Sequence, residues 1–288
     1  MRGWQKLKAI AAAMVLVGTI MPATALGGGR LLWTGGVSTV EGANGGGLVP
    51  WALIGGLGTA DETGATFYAT GLSTARFSLR SAGAAIGWHD RLEVSLARQW
   101  FDGRGSLSAV SLGQAVAGIK LRVAGDAVFD QDRWLPQLAV GALYKSTQDF
   151  GGLPRTIGAG HSTGWDVYVA ATKVFLGGFV GHNALLDVTL TRSEANQLGV
   201  LGFGGSVGAT WRAAGTVAVW LADRVLLGGE YRAKRGALAT PVEGDAHDLF
   251  LAFAPSKHLS IVVAYVDLGP VAGQGIERGP SLSVSGTF

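Results

Sequence analysis

Beyond residue 26 the chain holds no apolar run long enough for a membrane helix, which needs about 20 consecutive residues, yet its mean hydropathy is +0.32. The apolar residues are spread by alternation instead. In "RLEVSLARQWF", Leu92, Val94, Leu96 and Trp100 share one face of an extended chain, and Arg91, Glu93, Ser95 and Gln99 share the other. "AGIKLRVAGD", "NALLDVTLT", "RVLLGGEYRAK" and the terminal "SLSVSGTF" repeat the pattern. A period of two belongs to strands. Strands oily on one face and polar on the other suit a wall between lipid and water. Two positions, Arg98 and Lys173, fall on the oily side and break the rule.

The amino terminus supports that setting. "MRGWQKLKAIAAAMVLVGTIMPATA" opens on Arg2, Lys6 and Lys8, runs apolar from Ala9 to Ile20 and ends on Ala23 and Ala25, the layout of a secretory signal peptide over residues 1–25. Without those three cations the 23 Lys+Arg become 20, equal to the 20 Asp+Glu. A neutral mature chain has no basic block to neutralise phosphates, so nucleic acid is not an expected partner. Cysteine is absent, which excludes disulfides and thiolate chemistry. Glycine, at 47 of 288 residues, far exceeds ordinary usage of roughly 7% but follows no triplet repeat.

Tight turns alternate with longer connections. The strands expected at 76–87 and 91–101 meet at His89 and Asp90, those at 208–220 and 224–235 at Asp223, and those at 246–254 and 258–268 at "PSK". Between such hairpins lie longer stretches such as "TQDFGGLPRTIGAGHS" and "EANQLGVLGFGGS". Outer-membrane barrels have short periplasmic turns and long outer loops. Further strands are expected at 115–126, 134–146, 163–175, 183–194 and 280–288, giving eleven from residue 76 onward. An even count requires one more before them, and "RLLWTGGVSTV" is the natural candidate. The expected fold is an all-β, antiparallel up-and-down transmembrane barrel of about twelve strands, or fourteen if "WALIGGLGT" and the stretch around Phe67 and Tyr68 also cross. In domain terms, residues 26–75 form a glycine-rich segment with the first strand or strands, and 76–288 form the barrel. Aromatic girdles are predicted from Trp88, Trp134, Trp220 and Phe288 at the lower ends and Trp100, Trp165, Trp211 and Tyr265 near the upper ends. In a soluble β-sandwich such rings would sit mid-strand.

Several phrases resemble an uncharacterised proteobacterial family, domain of unknown function 3034: "LLWTGGVSTVEGANGGGLVPWALIGG", "DVYVAATK", "RSEANQLGVLGFGG", "GEYRAK" and "PSKHLSIVVAYVDLG". The resemblance covers nearly the whole mature chain and implies an outer-membrane β-barrel. It brings no catalytic residues, cofactor or substrate. The closing strand, with Leu282, Val284 and Phe288 toward lipid, also resembles the signal by which such barrels reach their assembly machinery.

Uninterrupted alternation points Glu93, Lys120, Arg122, Asp166, Asp187, Arg212, Glu230, Arg232 and Asp248 into the lumen. They read either as the wall of a polar pore or as a self-satisfied ion network filling a small barrel; both readings stand at this point. "EGANGGGLVPWALIGGLGTADETG" and "VLGFGG" read first as flexible outer loops or an irregular first hairpin, with an inward plug as the alternative. His258 and Ser260 have the spacing of a lipase pair, but both face the lumen beside a periplasmic turn, away from outer-leaflet lipid. The histidines form no zinc pattern, "GFGGSVG" misses dinucleotide spacing and "DQD" lacks the rest of a calcium loop, so no metal or cofactor is expected. The leading expectation is a passive outer-membrane conduit or binding pore for a small solute, not an enzyme, whose partners are outer-membrane lipids and the assembly machinery. A plugged structural or interaction barrel comes second and a lipid-modifying enzyme a distant third.

Overall fold

The computed structural model describes residues 32–35, 37–238 and 243–288, so the signal-peptide region lies outside the described residues. Twelve antiparallel strands form one closed barrel: β1 (Thr63–Ser73), β2 (Phe77–Trp88), β3 (Leu92–Gly103), β4 (Ser111–Ala124), β5 (Gln137–Thr147), β6 (Thr163–Phe179), β7 (His182–Ser193), β8 (Thr210–Ala222), β9 (Val225–Arg232), β10 (Ala246–Ser256), β11 (Leu259–Pro270) and β12 (Ile276–Thr287). Each strand pairs with its sequence neighbour. β12 returns to β1 in register from Thr66↔Thr287 to Leu72↔Ser281, which leaves no open edge. In hydrocarbon an open edge would strand a row of unpaired N–H and C=O groups.

All eleven strands expected from residue 76 onward are present, with ends within four residues of their expected positions. Alternation sets the faces. On β10, Leu249, Leu251 and Phe253 are exposed while Phe250 and Ala252 are buried. On β12, Ser283, Ser285 and Thr287 are buried in the lumen, and Leu282 and Val284 face out. The hairpins at the end bearing the carboxy terminus, here the lower end, are tight. His89 and Asp90 have φ of +53° and +49°, the left-handed pair that matches strand twist in a two-residue turn. The exception at this end is the longer connection 125–136.

The first strand is not where "RLLWTGGVSTV" placed it. The described part of 30–40 forms no strand; it makes only isolated bridges, Ser38↔Asn44 among them, and β1 at Thr63–Ser73 supplies the twelfth crossing. "WALIGGLGT" does not cross either, which removes the fourteen-strand alternative. The described residues of 33–57 lie inside the barrel, with Val49, Trp51, Leu53 and Ile54 fully buried. The reading of this stretch as an outer loop or first hairpin is therefore corrected to an inserted plug. Its glycine run breaks the alternation that a wall strand needs, and lumen side chains supply the partners its backbone lacks.

The upper girdle is as expected: Trp100, Trp165, Trp211 and Tyr265 are exposed near the upper ends. At the lower end Trp134 is exposed on the 125–136 connection, Trp88 has outward parity, and Phe288 stacks on His258 with ring centroids 5.6 Å apart. Trp220 is a correction. It shares the parity of Arg212 and Thr216, points inward, is 8% exposed, and belongs to one apolar cluster with Trp33, Leu53 and Val128. The two breaks in alternation are covered by connections: Lys173 Nζ donates to the Asp130 carbonyl at 2.5 Å and Arg98 donates to Gln148.

Leu251, outward at the centre of β10, tests the lipid-facing assignment. Leu251→Arg should destabilise the barrel by about 2–4 kcal/mol in vesicle-based denaturant unfolding. A change near zero would contradict a lipid-facing wall at that position.

Candidate functional site

A glycine-rich segment without regular structure carries N–H and C=O groups that must find partners when buried. Side chains from nine strands supply them. The Val40 carbonyl accepts from Tyr68, Ser81 and Gln99 of β1, β2 and β3 at 3.2, 2.6 and 2.7 Å. Glu93 of β3 accepts from the N–H groups of Asn44 and Gly55 at 3.0 and 2.8 Å, while Lys120 of β4 donates to the Asn44 and Leu53 carbonyls, both at 2.9 Å. This pair, itself 3.2 Å apart, clasps both ends of the loop 44–55. Further around, Gln137 of β5 donates to the Ala52 carbonyl, Thr172 of β6 accepts from the Ala52 N–H, and Thr189 of β7 donates to the Pro50 carbonyl. Thr216 of β8 accepts from the Trp51 indole and donates to Glu230 of β9, whose other oxygen accepts the Leu48 N–H at 2.7 Å. Gly46 passes so close to Glu230 that a Cβ there would overlap the carboxylate.

The strongest hold is ionic. Glu41 lies between Lys145 of β5 and Arg232 of β9; Arg232 Nη1 is 2.6 Å from one oxygen, and Lys145 Nζ contacts the other. Lys145 also meets Asp166 of β6 at 2.6 Å, and Arg232 donates to the Leu48 carbonyl at 2.8 Å. All four side chains are nearly inaccessible to water. Buried charges are tolerable only when paired and hydrogen-bonded in this way.

Above the plug, the connection 194–209 folds across the upper mouth. Leu198, Val200, Leu201 and Phe203 are buried, and Val200 and Leu201 join Phe77, Phe101, Leu112 and Val271 in one apolar cluster. The Leu198 carbonyl accepts from Lys145 at 3.2 Å, and the Gly199 carbonyl from Thr147 at 2.5 Å. Lys234, just past β9, donates to Gln197 at 2.8 Å; burial pulls its ammonium down to about 8, against the attraction of Glu243. The flexible-loop reading of "VLGFGG" is thus corrected to a packed lid, because its apolar residues have a wall to meet.

All nine lumen residues inferred from alternation face inward. Glu93, Lys120, Asp166, Asp187, Arg212, Glu230 and Arg232 are buried. Asp187 accepts from Thr172 at one oxygen, its other oxygen lies 3.1 Å from the Thr189 hydroxyl, and Arg212 donates to the Ser193 carbonyl at 3.1 Å. Arg122 stands apart at the lower rim, paired with Asp90 and Asp126. Asp248 borders a small cavity beside the plug. Ser260 faces the lumen, and His258 Nδ1 is bonded to the Thr287 carbonyl at 2.8 Å. Sequence reasoning missed Glu41 and Lys145. The parity of Gln137 and Leu143 would have placed Lys145 inside; Glu41 sits where no period exists.

The family model described as "Protein of unknown function (DUF3034)" matches residues 34–285. Among solved structures, "KdgM porin in complex with disordered oligogalacturonate" matches with a TM-score of 0.51 at 8% identity, covering 77% of this chain and 99% of that one. "KdgM porin" matches with a TM-score of 0.50 at 8% identity and the same coverage. The outer membrane protein Omp33 of Acinetobacter baumannii is similar with a TM-score of 0.46 at 5% identity, covering 80% of this chain and all of that one. Likeness at these identities is one of fold, the closed barrel of outer-membrane porins. No curated protein matches the sequence.

Lys145→Met should leave Glu41 and Asp166 short of a cation and cost about 3–5 kcal/mol of local stability. Hydrogen exchange should speed up across 37–57 and 194–209 while the strands remain protected. Unchanged exchange in both segments would show that the ion cluster does not hold them.

Proposed function

We propose that this chain, which belongs to the protein-of-unknown-function family DUF3034, is an outer-membrane conduit for a small solute, held shut by its own amino-terminal segment. The observation that carries this reading is the set of hydrogen bonds and ion pairs on the plug's backbone and on Glu41, which accompanies the apolar packing of Val37, Leu48, Trp51 and Leu53. A barrel that needed only a filled interior would close with packed side chains from its own wall. Here an irregular segment is gripped through hydrogen bonds and ion pairs, contacts that water can replace when the segment leaves. The side chains that hold the plug, Glu93, Lys120, Lys145, Glu230 and Arg232, would then line the opening together with Asp166, Asp187 and Arg212. Charges of both signs would favour neither anions nor cations strongly.

In this reading residues 1–25 direct export and are removed. The machinery that assembles outer-membrane barrels reads β12, with Leu282, Val284 and Phe288 on its outer face. Phe288→Ala keeps the backbone carbonyl that receives the Leu57 and Ala65 N–H groups at 2.9 Å. It should lower the amount of folded protein in the outer membrane, seen by fractionation and immunoblotting, with unassembled chain accumulating in the periplasm. Wild-type levels would remove the signal role from Phe288.

Planar-bilayer recording tests the conduit directly. The intact protein should conduct rarely, and a variant lacking residues 33–57 should carry steady open-channel current. If that variant is folded, as judged by circular dichroism and heat-dependent gel mobility, and still passes no ions, the conduit reading fails. A structural or interaction barrel then replaces it; the packed lid over the plug is the observation favouring that second reading.

A further inference from the structure

The lumen wall is two-sided. From β3 to β9 it bears the charges that hold the plug. On the remaining arc, β10 through β12 to β1 and β2, the inward residues of the upper half are largely apolar: Leu72, Leu79, Phe250, Val262, Ala264 and Val266. Interiors of transmembrane barrels are ordinarily polar. Over 261–266, β11 is apolar on both faces, which lipid explains for the outer face only. Between this arc and the plug lies a cavity of about 50 Å³, walled on the plug side by Val37, Val40 and Leu48 and bounded by Leu198 of the lid. The cavity exists because the β12 residues facing it, Ser281 and Ser283, are small. The hydroxyl of Ser283 is occupied by Thr70 at 2.8 Å, which leaves mostly carbon facing the space.

Two further observations point to a ligand. Asp248 lines the cavity, and its Oδ1 is buried with no hydrogen-bond partner among the described residues. Leaving such an acceptor unpaired is costly, and an incoming donor would recover that cost. The carboxylate of Glu230, its cross-strand neighbour, gives Oδ1 no donor, since it accepts from Leu48 and Thr216. The second is Leu198: it and Gln197 are non-glycine residues with φ of +59° and +47°. Strained backbone of this kind persists where surrounding structure holds it and gathers at clamps and switches. Its release would move Leu198 and enlarge the space from the upper mouth.

We propose that this arc binds a small apolar molecule bearing one hydrogen-bond donor, its body against Phe250, Val262 and Ala264 and its donor on Asp248. The site deepens the conduit reading and rests on it for one thing, that the bound molecule is the cargo. At rest the cavity has room for a few heavy atoms, several times the 10–15 Å³ or so that one water requires. A single-ring body enters as Leu198 swings away.

Calorimetric titration of the intact protein in detergent, with empty micelles as the blank, uses three probes. They are p-cresol with a hydroxyl donor, 4-methylbenzylamine with an ammonium donor, and toluene with none. At least one donor-bearing probe should bind saturably at one site, about tenfold more tightly than toluene. The tighter of the two identifies the head group as hydroxyl or ammonium. Asp248→Leu should erase the advantage over toluene, and Ala264→Phe or Ser283→Leu, each filling the cavity in a barrel checked for folding, should abolish binding. Equal binding by the filled variants, or no saturable binding by the intact protein, overturns the site. The conductance of the protein lacking 33–57 is a separate readout. An open channel with no p-cresol or amine site removes this inference alone; a site in a barrel that never conducts keeps the binding and removes the cargo role.

Discussion

Backbone N–H and C=O groups removed from water must be paired, and the architecture follows from that requirement twice. On the lipid side it forces the strands into a ladder without an edge, so β12 has to return to β1. Inside, it decides what can fill the barrel. An irregular glycine-rich segment brings unpaired groups into a dry space, so the wall must offer side-chain donors and acceptors at matching places. Glu93 with Lys120, Thr172, Thr216 and Glu230 do so.

The wall was legible in the sequence because lipid outside and a polar interior impose a period of two that local residues cannot avoid. Eleven strands and all nine inward polar positions follow from parity alone. Trp220 was misplaced because its position near a strand end was weighed above its parity with Arg212 and Thr216. The plug was legible only as an alternative, since its partners are remote: Glu41 meets Lys145 and Arg232, 104 and 191 residues away. No local pattern encodes such a match. The first strand was misassigned for the same reason, because a segment paired with side chains shows neither alternation nor a helical period. The glycines were the readable trace, and their meaning lay in close approach, as at Gly46 beneath Glu230.

The split between a charged arc and an apolar arc divides the interior's work. Charges gather where the plug needs partners, from β3 to β9. They are absent from the inward face of β11, where Val262, Ala264, Val266 and Leu268 line the remaining space. An all-polar interior would have flooded that space with water, and an all-apolar one would have left the plug's backbone unpaired.

Lys145 joins the three layers of the interior. An ammonium has three N–H donors, and here they are shared among Glu41 of the plug, Asp166 of the wall and the Leu198 carbonyl of the lid. At Lys145 alone, withdrawing Glu41 would leave the ammonium paired with Asp166 and still tied to the lid, whereas releasing the lid there would give up one bond to a carbonyl and leave both carboxylates in place; the lid is held besides by Thr147, Lys234 and its apolar packing. The lid is therefore the weaker partner by the chemistry of its bond, and Leu198 adds a strained backbone to that side. The plug is fixed more firmly, since Glu41 has a cation on each side, Lys145 and Arg232.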